Sequence, residues 1–151
     1  MEFHLPAYIV IAEDNPGDVT LVREAFREHR IDCDLQVLKD GEAALEYFSR
    51  LATMEDARCP DLILLDLNLP RCNGDKVLQN LRAGWRCATT PVLVLTSSDS
   101  SLDRRRIESH NARYFRKPSK LSDFMLLGGI VKDLLHTMAG KETALLPLHS
   151  A

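Results

Sequence analysis

No two of the four cysteines stand in a C-x-x-C pair, no histidines form an H-E-x-x-H, and no glycine-rich loop follows the first apolar run. The first two absences leave no redox or zinc motif, so Cys33, Cys59, Cys72 and Cys87 read as four reduced thiols of a cytoplasmic protein. The third argues against a flavin or nucleotide binder: where such a loop would cradle phosphate, the chain carries Glu13-Asp14, which repels it. An excess of positive charge is also lacking, with 19 basic against 22 acidic residues and a formal charge of -3. Nucleic acid is therefore not an expected partner. No stretch approaches the roughly 18 apolar residues of a membrane helix, and Met1 to Pro6 has no apolar leader core, so no membrane association is expected either. The 151 residues suffice for one globular domain that buries about two thirds of its unfolded surface without metal or disulfide.

What is present is a series of short apolar runs, each ending in a residue capable of chemistry. Ala7 to Ala12 is continuously apolar, as in a strand buried on both faces, and ends at Glu13-Asp14. Asn15-Pro16 then signals a helix start, with Val19, Val22, Ala25 and Phe26 at helical spacing to about His29. Leu35 to Leu38 reads as a second strand, followed by a helix with Ala43, Ala44, Tyr47 and Phe48 inward and an exposed loop from Ala52 to Pro60. Leu62 to Asp66 is the most apolar strand; Asn68-Leu69-Pro70 and Gly74 force a loop before the Val77, Leu78, Leu81 helix. Pro91 to Thr96, a helix from Leu102 to His110, a strand from Ala112 to Phe115 and a helix from Lys120 to about Met138 complete the pattern. Five strands alternating with five helices predict an α/β fold with a doubly wound, five-stranded parallel sheet in three α/β/α layers.

In such a sheet the carboxyl ends of the strands share one edge, where ligands bind. Glu13, Asp14, Asp66, Thr96, Tyr114 and Lys117 are then expected to gather there. Three carboxylates at that range are costly unless a cation neutralises them, and hard oxygen donors without a nearby sulfur or imidazole suit Mg²⁺. Asp66 can act as nucleophile toward a phosphoryl group, with the Lys117 ammonium and the Thr96 hydroxyl sharing the charge on its oxygens.

A strand ending in Glu13-Asp14-Asn15, a strand ending in Asp66 with Leu67-Asn68-Leu69-Pro70 and Gly74 after it, Thr96-Ser97, and Tyr114 three residues before Lys117-Pro118 together resemble the receiver domain of two-component response regulators. The resemblance covers about Tyr8 to Met138; Asn15-Pro16-Gly17-Asp18 and the run from Asp66 to Arg71 are most similar to small stand-alone receivers of bacterial phytochromes and related sensor kinases. It implies a flavodoxin-like fold, a receiver domain over residues 7–138, a tail over 139–151 and no output domain. It also implies a signalling protein rather than an enzyme, in which Asp66 takes the phosphoryl group from a phosphohistidine on a sensor histidine kinase and changes its surface for a downstream protein. Mg²⁺ would be held by Asp14, Asp66 and the Asn68 backbone carbonyl, with Glu13 acting through water. Thr96 and Tyr114 would be the switch pair, Asn68 and Ser98 would flank the path of hydrolytic water, and Lys117-Pro118 would be a cis peptide. Asn111 and Ser119 depart from the usual receiver pattern, on the output face.

Other readings of the same residues are a docking module that is never phosphorylated, and an aspartate-nucleophile phosphatase. The second would carry an acid two residues after its nucleophile, where this chain has Asn68. Arg104-Arg105-Arg106 reads as a solvated helix face. Gly128-Gly129 inside an apolar helix reads either as a local kink or as the close approach of another backbone in a homodimer or partner contact, and Leu145-Leu146-Pro147-Leu148 either as a free tail or as one that docks on a second copy.

Overall fold

The structure is a computed structural model that describes residues 5–84 and 86–137; Met138 and the leucines of the expected tail contact lie outside them. Strands β1 (Ala7–Ala12), β2 (Cys33–Leu38), β3 (Leu62–Asp66), β4 (Val92–Thr96) and β5 (Arg113–Arg116) alternate with helices α1 (Pro16–Glu28), α2 (Gly41–Thr53), α3 (Gly74–Arg82), α4 (Ser101–Ser109) and α5 (Leu121–Phe124). All strand pairs are parallel and the order across the sheet is β2-β1-β3-β4-β5. The chain thus reverses direction across the sheet between β1 and β3, and the residues beyond their ends become neighbours.

The core follows from strand geometry, in which successive side chains point to opposite faces. Val10, Ala12, Ile63, Leu65, Val92 and Val94 face α2, α3 and Ile107 of α4. Ile9, Ile11, Leu62, Leu64, Leu93 and Leu95 face Val22, Ala25 and Phe26 of α1 and Phe124, Leu127 and Val131 near the end of the chain. Every residue of β3 and β4 is buried, as expected of central strands covered on both sides. Edge strand β2 starts two residues before the expected Leu35, because Cys33 and Asp34 continue an alternating pattern of burial rather than an apolar run.

The last helix is not continuous. After α5 a turn at Met125 interrupts it, and helical residues 126–137 follow. The Met125 carbonyl accepts from Gly128 N at 3.1 Å and lies 3.0 Å from His29 Nε2 at the end of α1. A Cβ on Gly128 would come within 2.2 Å of His29 Cδ2 and 2.5 Å of the Ala25 carbonyl oxygen. The backbone that approaches Gly128 is therefore α1 of the same chain, beside the interruption at Met125 that matches the expected local kink. Gly129 differs: its Cβ would make an ordinary contact, 3.5 Å from His29 Cε1. Gly128→Ala is expected to lower the thermal midpoint by several degrees through overpacking of about 1–3 kcal/mol. Gly129→Ala should leave it unchanged or raise it, since alanine favours a helix by about 1 kcal/mol. Thermal melts that ranked the two variants the other way would contradict this packing.

Two cysteines do not stay reduced. Cys59 and Cys87 form a disulfide, with Cα atoms 5.6 Å apart, while Cys33 and Cys72 are free. The expectation of four thiols relied on spacing along the chain. The pairing comes instead from topology: β3 and β4 are neighbours, so the loops that enter their amino ends lie side by side.

Candidate functional site

The carboxyl ends of β1, β3 and β4 deliver Glu13, Asp66 and Thr96, all buried, to one edge of the sheet. Glu13 stays in line with the sheet through its N–H, which donates to the Leu38 carbonyl at 2.9 Å, while Asp14 turns outward and is exposed. Asn15 caps α1, its Oδ1 accepting from Gly17 N at 2.8 Å and Asp18 N at 3.4 Å. The loop after Asp66 is closed by Gly74, whose N–H donates to the Leu67 carbonyl at 2.9 Å. A Cβ there would lie 2.3 Å from the Asp66 carbonyl oxygen, so only glycine lets α3 start this close to the strand end. Asp66 Oδ1 accepts from Asn68 N at 3.0 Å.

Lys117 is the centre of the arrangement. Its N–H donates to the Thr96 carbonyl at 2.7 Å, extending the β4–β5 pairing by one residue. From there its Nζ donates to Glu13 Oε2 at 2.7 Å, Asp18 Oδ2 at 2.8 Å and Asp66 Oδ2 at 3.2 Å. It does so across a trans bond to Pro118: the described residues contain no cis peptide, contrary to the expectation from the resemblance. Trans is the lower-energy isomer by about 0.5–1 kcal/mol, and the side chain reaches the carboxylates without leaving it.

The electrostatics of the cluster are strained in one direction. Burial pushes the Glu13 carboxyl up to about 7, against the Lys117 hydrogen bond that draws it down, and the Asp66 charge adds to the rise. Burial alone would lower Lys117, but its hydrogen bonds to Asp18 and Glu13 and the nearby Asp66 charge outweigh it and hold the ammonium above its ordinary range. A single cation therefore faces more negative charge than it can neutralise. Glu13, Asp14 and Asp66 each offer a carboxylate oxygen, and these lie within 4.8 Å of one another. Three hard oxygens, two of them on buried side chains, suit a divalent cation that accepts oxygen ligands and retains water.

The expected switch residues stand beside this cluster without belonging to its ion pairs. Thr96 Oγ1 accepts from Ser98 N at 3.1 Å, and Ser98 Oγ donates to Asp103 Oδ2 at 2.8 Å. Tyr114, half-buried, donates its hydroxyl to the Ser98 carbonyl, and burial pushes its phenol up, so it remains a donor. Arg104 sits over the Tyr114 ring at 5.6 Å and pairs with Glu108, while Arg106 pairs with Asp103 and Asp75. The arginine run is thus a solvated face with partners of its own. Asp18 was not among the expected site residues. Its signal was four-residue spacing from Asp14, on the first turn of a helix already anticipated from Asn15-Pro16.

Residues 9–127 match the family model described as the response regulator receiver domain. The chain is similar to response regulator Rcp1 of a Synechocystis species, 35% identical over 139 residues that cover 91% of this chain and 95% of the relative. It is also similar to the probable methanogenesis regulatory protein FilR2 of Methanothrix harundinacea, 36% identical over 124 residues, 82% of this chain and 79% of that one. Among solved structures, the Mn²⁺-bound form of Rcp1 superposes with a TM-score of 0.74 at 35% identity, covering 83% of this chain and 91% of the other. The phosphorylated cyanobacterial phytochrome response regulator RcpA does so with a TM-score of 0.78 at 31% identity, covering 88% and 96%.

Proposed function

The chain belongs to the response regulator receiver domain family, and from that membership we propose that Asp66 is its phosphoacceptor, supplied by a phosphohistidine of a phytochrome-like sensor histidine kinase. The observation that carries this reading is the meeting of Asp66 with Lys117 at 3.2 Å inside the carboxylate cluster. An Asp66 carboxylate oxygen forms a bond to phosphorus as the donor's N–P bond breaks, and the electron pair leaves with the imidazole nitrogen, which then takes a proton. Lys117 donates to the oxygens of the transferred group, and the Thr96 hydroxyl exchanges its contact with Ser98 for one of them. Mg²⁺ would be held by Asp14, Asp66 and the Asn68 carbonyl, with Glu13 acting through water, and would supply charge neutralisation for the carboxylate and the phosphoryl oxygens. Tyr114, tied to Ser98 by its hydroxyl, is the group that senses the exchange and alters the surface offered to a downstream protein.

The catalytic burden on the protein is small: it positions and neutralises, and the product is a changed surface rather than a metabolite. The Asn68 side chain, exposed two residues after Asp66, provides no general acid for repeated turnover, which disfavours the phosphatase reading. A receiver of this kind works where its kinase has ATP, in the cytoplasm; no helix among the described residues is long and apolar enough to cross a membrane. A homodimer across the last helix would use the exposed Leu121 and Leu126, since Gly128 is already engaged within the chain. With acetyl phosphate and Mg²⁺, intact-mass measurement should find one added phosphoryl group per chain, and a chelator should suppress it. A chain that binds Mg²⁺ and gains no mass would instead be a docking module.

A further inference from the structure

Lys117 is held by one carboxylate more than this chemistry uses. An ammonium has three N–H donors, and all three are taken, by Glu13 at 2.7 Å, Asp18 at 2.8 Å and Asp66 at 3.2 Å. Glu13 and Asp66 belong to the cation-binding cluster with Asp14; Asp18 does not. Asp18 stands instead on the first turn of α1, with its side chain 24% exposed against 1% for Glu13.

A donor with every hydrogen committed cannot also donate to phosphoryl oxygens, so contacts have to open when Asp66 is modified: Asp66 gives up its own 3.2 Å contact as its charge passes into the new ester, and a second hydrogen for the phosphoryl oxygens has to come from Glu13 or Asp18. Glu13 is the costly one to release, because its charge would remain buried with one partner fewer. Asp18 is the cheap one, because water can replace Lys117 at its half-open carboxylate. Until release, its charge both draws Lys117 away from the incoming group and adds to the field that repels a phosphoryl dianion. Resting on the reading of Asp66 as phosphoacceptor, we propose that Asp18 is a positioning residue that restrains phosphoryl uptake, holding Lys117 in the unmodified protein and giving it up to the phosphoryl group.

The test is the rate of uptake on the whole chain as a function of acetyl phosphate concentration with saturating Mg²⁺, in which the donor's P–O bond breaks and acetate leaves with the electron pair. Asp18→Asn keeps the size of the side chain and an oxygen for Lys117 but removes the charge. Its maximal rate should rise about five- to tenfold, with the half-saturating donor concentration changed by less than about twofold. Asp18→Glu, which retains the charge, should remain slower than Asp18→Asn, and Asp18→Ser should be accelerated like Asp18→Asn if the amide variant folds poorly. A merely structural role predicts the opposite: slower uptake in both charge-removing variants, in step with lost thermal stability. An unchanged or lower maximal rate in these variants, with the unaltered chain modified normally, overturns the role of Asp18 alone. Failure of the unaltered chain to take up phosphoryl overturns the reading on which it rests.

Discussion

Asp66→Asn is expected to abolish phosphoryl uptake while leaving the fold close to its original stability. An amide is too weak a nucleophile to replace the carboxylate, so the loss in rate should exceed about 10³-fold and no adduct should be seen on the time scale of the unaltered protein. Asp66 is one of three carboxylates on Lys117 and the longest of the three contacts, at 3.2 Å. Removing its charge leaves the ammonium paired with Glu13 and Asp18 at 2.7 and 2.8 Å. It also removes the Asp66 charge that helps to raise Glu13. The Asn68 N–H keeps an oxygen acceptor, since an asparagine at 66 retains Oδ1. Melting in metal-free buffer should therefore shift by no more than a few degrees, while affinity for divalent cations falls at least tenfold with the loss of a charged ligand. A variant that still gained phosphoryl mass would place the acceptor elsewhere.

Lys117→Met is expected to do the reverse to stability. The methionine keeps most of the stem and removes the charge, leaving Glu13 and Asp66 buried, with side chains 1% and 6% exposed, and no cation. Breaking a buried pair in this way costs about 3–5 kcal/mol, because the remaining charges stay desolvated. For a domain of this size that is roughly a ten-degree fall in the thermal midpoint. A divalent cation should restore part of it, since the carboxylates it would neutralise are the ones left unpaired. Phosphoryl uptake should also slow by about 10²-fold, the usual effect of losing one charge-stabilising donor. Melts of the two variants with and without Mg²⁺ check both predictions together. Equal stability of Lys117→Met and the unaltered chain without metal would mean that the ammonium is not what balances the cluster.

Much of this was legible because chemistry stands at the ends of apolar runs. Glu13-Asp14, Asp66 and Thr96 each terminate or follow a run too apolar to face water, Lys117 follows the short, half-buried β5, and parallel strands put such ends on one edge. The doubly wound sheet, the burial of Glu13, Asp66 and Thr96 at its edge and the solvated arginine face follow from those patterns. What was not legible depends on contacts between elements distant in sequence. The Cys59–Cys87 disulfide needs the adjacency of β3 and β4. The close approach at Gly128 could be anticipated from the glycine, but not that His29 and Ala25 of the same chain make it. Asp18 was hidden for a related reason: its helix was anticipated, yet only the path of Lys117 across the strand ends shows what its carboxylate meets. The trans peptide before Pro118 runs against family resemblance, and the ammonium reaches its partners regardless.

The most direct test of the account is to map the modified residue. After phosphorylation by acetyl phosphate and Mg²⁺, borohydride reduces an aspartyl phosphate to homoserine, and peptide mass spectrometry then reads its position. The account predicts homoserine at position 66 alone. Modification of another carboxylate, with Asp66 intact, would contradict it.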